Sequence, residues 1–105
     1  GALQLLIGVA RIVVGPAVRT GGPEVATRTA VASVRSTDWI VEALDGSTGV
    51  FVLEGEVAVT DLGGTATVVV PPGLGTNVAA GQPPTEPAPW GAARVRSVIA
   101  RTAPL

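Results

Sequence analysis

Histidine, cysteine, methionine, tyrosine and lysine are all missing from this chain, and each of its seven basic residues is an arginine. Without His, Cys or Lys there is no usual general base near neutral pH, no thiolate nucleophile and no amine for a Schiff base. The preferred ligands of zinc, copper and iron are gone as well. The expectation is therefore a protein that is not an enzyme and carries no cofactor. Missing cysteine does not fix the redox compartment, because an exported domain can do without disulfides. Charge is scarce too: the net charge is -1 and the arginines are scattered along the chain. No basic stripe of the kind that holds nucleic acid is present. Long apolar runs are absent, and the run at residues 50–53 falls far short of the roughly 20 residues that cross a bilayer.

What is present points to strands. Fourteen Gly and nine Pro punctuate the chain too often for long helices, while abundant Val and Thr favour extended backbone. Phe51, Trp39 and Trp90 are the whole aromatic complement. The core must then be built from small and β-branched side chains, with each Trp as an anchor. A chain of 105 residues is one domain at most, with a modest stability margin. It begins at Gly1 without an initiator Met or a signal sequence, and reads as a processed or partial chain.

Residues 2–14 read as two strands meeting at Gly8, apolar on both faces and so covered on both sides. Strands follow at residues 26–34, 38–43, 49–53, 56–61 and 65–70. Asp45-Gly46 between two apolar segments predicts a hairpin, with Ser47 and Thr48 lengthening its loop. Gly63-Gly64 makes the next turn, and Pro71-Pro72-Gly73 stops the strand that follows. The segment Leu6-Ile7-Gly8 echoes Leu53-Glu54-Gly55, each leading into a strand. Short strands separated by Gly turns are what a β-solenoid or β-roll stacks into one core. The expected fold is all-β, a short solenoid-like stack over residues 1–81. Residues 82–105 form a Pro-rich arm and a short tail without a core of their own. In that tail Ala92, Val95, Val98 and Ile99 share a helical face with Arg94 and Arg101 largely off it, which favours helix slightly over strand.

Several residues invite a chemical reading. Glu54 and Glu56 flank Gly55 and would share a face in a regular strand, like a carboxylate pair; a bulge at the glycine would part them. The Asp45 and Asp61 turns carry oxygen ligands that could hold calcium, against the commoner role of capping nearby backbone. Trp39 and Trp90 could stack on a sugar, against the commoner role of packing. Arg35 is the charge expected to be partly buried, with Asp38 or Glu54 as its mate in a structural ion pair.

The stretch over residues 27–60 resembles the core of a FecR-type domain. That family joins a Thr-Pro-x-Ala-x-x-x-Val-Arg-Gly-Thr element to a strand ending in Leu-Glu-Gly-x-Val. Thr27, Ala30, Val34, Arg35 and Thr37 match the first element, and Leu53, Glu54, Gly55 and Val57 the second. Arg28 and Ser36 depart from it, standing in place of Pro and Gly. Residues 72–76 and 81–84 are similar to the family's closing elements, so the likeness is best over residues 27–84 and loose before them, with the family's usual N-terminal part missing. The resemblance implies a compact β domain on the periplasmic or extracellular side of a Gram-negative envelope, in a family that relays signals between transporters and sigma factors. It also implies work through a protein partner. Two other readings stand beside that one. One is a structural subunit that assembles with copies of itself through open β edges, such as residues 3–7. The other is a polysaccharide-binding module. The residues named for structure or interaction are Arg35, Thr37, Asp38, Trp39, Glu54, Gly55 and Trp90, with no catalytic or metal-binding residue.

Overall fold

The computed structural model describes residues 2–14, 24–34 and 37–102. In chain order the elements are β1 (Ala2–Gln4), β2 (Gly8–Val14), β3 (Glu24–Ala26), β4 (Ala30–Val34), β5 (Thr37–Ala43), β6 (Ser47–Glu54), β7 (Val57–Asp61), β8 (Thr67–Val70), β9 (Gly75–Ala79) and α1 (Ala92–Arg101). The strands form a five-stranded sheet, ordered β1-β3-β4-β7-β8, and a four-stranded sheet, ordered β2-β5-β6-β9. Strand numbers rise steadily across both, because the chain steps from sheet to sheet and lays each hairpin outside the last. All pairings are antiparallel except that of β1 with β3.

The all-β class stands, but no solenoid is seen among the described residues, and neither sheet closes. The short reversals at residues 27–29, 44–46 and 62–66 return the chain beside the strand it has just left. Such reversals build antiparallel ladders, whereas a coil needs parallel neighbours. Short strands and Gly turns are common to both architectures, so composition could not separate them. The echoed motifs mark crossings between sheets: Gly8, with φ 132°, follows the passage from β1 to β2, and Gly55, with φ 83°, lies between β6 and β7. Both are backbone conformations that glycine adopts without strain.

Alternation along the strands makes the core. Trp39 and Val41 of β5, Val50 and Val52 of β6, and Val78 of β9 face Val25, Ala32, Val57, Val59 and Val70 from the other sheet. Ala10 and Ile12 of β2 pack at its margin and stay half-buried. One end of this core is polar. Oγ1 of Thr48 lies 2.7 Å from Oγ1 of Thr27 and 2.6 Å from that of Thr29, whose hydroxyl donates to the Val78 carbonyl at 3.0 Å. A single direction of donation, Thr27 to Thr48 to Thr29 to Val78, satisfies these buried hydroxyls.

Thr27 also explains why the strand read at residues 26–34 is in fact two. Its Oγ1 accepts the backbone N–H of Ala30 at 3.1 Å while its own N–H donates to the Ala30 carbonyl at 2.9 Å. This side-chain-closed turn reverses the chain between β3 and β4. β9 was not read from the sequence, because Gly75 and the neighbouring prolines look like loop. Ser47 and Thr48 belong to β6 rather than to a longer hairpin loop, since Leu44 N–H donates to the Ser47 carbonyl at 2.8 Å.

Asp61 closes β7. Its carboxylate accepts the Ala66 N–H at 2.9 Å and the Thr65 hydroxyl at 2.8 Å, and the Ala66 bond, then the Thr65 bond, hold its pKa below the ordinary aspartate value. A carboxyl depressed in the folded state adds stability above the pKa it has in the unfolded chain, and loses it as pH falls through its folded value. Acidification below about pH 4 is therefore expected to weaken the fold. Asp61→Asn should flatten that part of a pH series of urea midpoints.

Candidate functional site

Sequence and register together give the outer face of the four-stranded sheet an unusual pair of rows. Val9, Glu42, Gly49 and Asn77 lie across one row, and Arg11, Ile40, Phe51 and Gly75 across the next. Two glycines inside strands leave a shallow seat, and the C-terminal arm fills it. Gly75 exchanges hydrogen bonds with Ala88 at 2.9 and 3.0 Å, and Thr85 N–H donates to the Asn77 carbonyl at 2.9 Å. Asn77 N–H in turn donates to Thr85 Oγ1 at 3.0 Å. The Pro-rich segment thus runs along β9 and occupies that edge of the sheet.

Trp90 then folds over the seat. Its ring centroid lies 5.3 Å from that of Phe51 at an interplanar angle of 35°. A Cβ on Gly49 would come within 2.9 Å of Trp90 Cη2, and one on Gly75 would overlap the pyrrole edge of the indole. The guanidinium of Arg94 stacks on the same ring, 3.5 Å from its centroid, a cation–π contact. From there Arg94 Nη2 donates to Asn77 Oδ1 at 2.6 Å and reaches Glu42 Oε1 at 3.5 Å. Arg101 donates to Glu42 Oε2. Glu42 is buried, so its carboxylate depends on these two cations. The sheet-facing stripe of α1 is Arg94, Val98 and Arg101, at i, i+4 and i+7, and Val98 is fully buried.

That stripe differs from the apolar face read from the sequence, where Arg94 and Arg101 lay off it and Ile99 on it. Ile99 is exposed instead, because the buried carboxylate of Glu42 draws the arginines inward. Sequence reasoning passed over Glu42, Gly49, Gly75 and Asn77. The available signal was a pair of glycines in otherwise strand-like sequence, a mark of close approach by another segment. Glu42→Gln, which keeps the shape and removes the charge, should lower stability by about 1–3 kcal/mol in chemical denaturation. Asp45→Asn, in the exposed Asp45–Arg28 pair, should change it by less than about 1 kcal/mol.

The residues named from sequence do not converge on one site. Trp39 is fully buried in the core, while Trp90 lies on the opposite face of the same sheet. Asp38 is held by Arg11 through a two-point contact of 2.9 and 2.7 Å, and the hydrogen bond from Arg11 lowers its pKa. Arg35 lies outside the described residues, and Thr37 opens β5 opposite Val14. Glu54 ends β6 and Glu56 follows the crossing at Gly55, so no single strand carries both carboxylates. Asp61 is committed to its turn and Asp45 to Arg28. Among the described residues no three acidic side chains gather where a metal could sit. One indole is sealed in the core, and the other is half-buried against Gly49 and Gly75 with the Arg94 guanidinium on its ring.

No helix among the described residues is long and apolar enough to cross a membrane. The sequence model described as FecR protein matches residues 1–58. The match takes in β1 and β2, where the likeness had looked loose, and stops before residues 72–84, where it had looked close. A solved structure of a candidate anti-sigma factor from Parabacteroides distasonis ATCC 8503 shares the fold, with a TM-score of 0.62 at 19% identity. The superposition covers 93% of this chain and 46% of that one, so the present chain spans less than half the length of that protein. No curated protein matches.

Proposed function

We propose that this chain, which belongs to the FecR protein family, is a non-catalytic interaction domain of a Gram-negative cell envelope, exported to the periplasmic side, where it passes a signal on through contact with another protein. The observation that carries the reading is the family match over residues 1–58. The candidate anti-sigma factor that shares the fold fits a place in a relay to a sigma factor. The inventory of side chains agrees: Asp38, Glu42, Asp45 and Asp61 are engaged in ion pairs or turns, and the chain has no His, Cys or Lys to perform chemistry.

Two other readings are weaker. A polysaccharide module would need an open aromatic platform, whereas Trp39 is fully buried and Trp90 is half-buried with Arg94 on its ring. A polymer built through the four-stranded sheet would need both of its edges open, and β9 is lined by the arm. A natural absence of cysteine makes the location directly testable. Gln82, exposed at the start of the arm, changed to cysteine in the native protein, should react in intact cells with a charged maleimide that cannot pass the inner membrane. Labelling only after lysis contradicts export. Deleting residues 1–105 from the native gene should change a defined set of sigma-factor-dependent transcripts, and an unchanged transcriptome contradicts the relay.

A further inference from the structure

Among the described residues the four-stranded sheet is open on one side only. Its β9 edge is taken by the arm, but β2 pairs with β5 alone. β2 is seven residues long, against three for β1 and four for β8 at the edges of the other sheet. It has no Pro, no Lys and no break of register along its ladder with β5, and its one charge, Arg11, is bound to the Asp38 carboxylate. A flat edge of this kind offers a row of N–H and C=O groups to another strand. Val13 on its outer face is 71% exposed, the most exposed large apolar side chain described, and Ile12 on its inner face belongs to the core yet stays half-covered. An added strand would shield both.

We infer that this edge receives β2 of a second copy, antiparallel about a two-fold axis through Arg11, so that two four-stranded sheets join as one of eight strands. This rests on the reading of the chain as an interaction domain and names the surface and the partner. The strand is complementary to itself in that register. Val9 meets Val13 on the outer face, and Ala10 meets Ile12 on the inner face, small against large. Arg11 meets its own copy at the axis, where like charges would repel. Here each guanidinium already holds the carboxylate of Asp38, so the axis carries two neutralised pairs. A two-fold interface uses the same patch on both copies and closes on itself. Since the arm occupies the far edge, the assembly stops at a dimer. The open strand is β2, and not residues 3–7 as the sequence suggested: β1 ends at Gln4, and Leu5 N–H donates to the Ala26 carbonyl at 2.7 Å.

Light scattering across a concentration series of the 105-residue chain should show the mass rising from 10.4 kDa to twice that value. Val13→Lys, at an exposed side chain that folding does not need, should hold it at the monomer. Val69→Lys, on the β8 edge of the other sheet, should leave the dimer intact. The register has its own test in a chain free of cysteine. Arg11→Cys should give a disulfide-linked dimer on mild oxidation, while Val13→Cys should not. Four residues of strand, about 13 Å, would separate the two Val13 positions. A wild-type mass of 10.4 kDa at every concentration overturns the inference, as does a dimer that survives Val13→Lys or cross-links at Val13 and not at Arg11. A monomer would leave the export and relay experiments to decide the wider function separately.

Discussion

Trp39→Ala is expected to remove about 3–5 kcal/mol of unfolding free energy, the usual range for deleting a buried tryptophan. Trp39 is fully buried in β5, a central strand of the four-stranded sheet, and the buried core around it is otherwise valine and alanine, with Ile12 opposite it on β2. Those side chains are short and their rotamers stiff, so they cannot swing in to fill the space. A domain of this size holds only about 5–15 kcal/mol in all, and each kcal/mol lost lowers the melting temperature by about 4–8 °C. The variant should therefore melt at least about 12 °C lower or fail to fold. Trp39→Phe separates volume from polarity. The indole Nε1–H of Trp39 is buried without a hydrogen-bond partner, so the smaller ring gives up contacts but also relieves an unsatisfied donor. Its loss should be well under that of Trp39→Ala. Urea melts of the three proteins decide the matter, and a loss below about 1 kcal/mol for Trp39→Ala would place the core elsewhere.

The second large effect belongs to Gly75→Ala. A methyl group there overlaps Nε1, Cε2 and Cδ1 of Trp90, and the clash is with a ring held by its contacts with Phe51 and Arg94. Gly75 is also bonded through its backbone to Ala88, so the strand and the arm cannot both shift to make room. The expected result is release of the arm and α1, with a loss of about 2–4 kcal/mol from the exposed Trp90 and Val98 surfaces. Trypsin reads this cleanly. No arginine lies between Arg35 and Arg94, and Arg94, Arg96 and Arg101 all sit in α1. Wild-type protein should resist cleavage in the helix, whereas the variant should lose its C-terminal segment early. Gly49→Ala should act in the same direction but more weakly, because the group nearest its Cβ is the Arg94 Nη2 at 2.6 Å, the mobile end of a long side chain.

Much of the strand layout was legible because it rests on local patterns. The alternation in residues 38–43 and the Asp45-Gly46 reversal mark β5 and β6, and Gly8 and Gly55 mark crossings. What the sequence hid was non-local. Hairpins stacked across two sheets and coils stacked in a solenoid share the same short strands and Gly turns, and only pairing direction tells them apart. Glu42 drew no reading, because nothing in residues 37–43 announces that α1 will bring two guanidiniums to it. Gly75 looked like loop because it sits among prolines, yet it is the point where the arm docks. Asp38 gains its partner Arg11 from 27 residues away, through the pairing of β2 with β5, which no local pattern announces.

A domain that works by touching another protein can be caught in the act by cross-linking inside cells. A photoreactive residue at Val13, on the open edge of β2, should yield a discrete protein adduct, either a second copy of the chain or a separate envelope protein. The same residue at Glu86, exposed on the arm, should yield none. An adduct at Val13 and not at Glu86 is the predicted result. No protein adduct at Val13, in cells where the chain is present and folded, would contradict it.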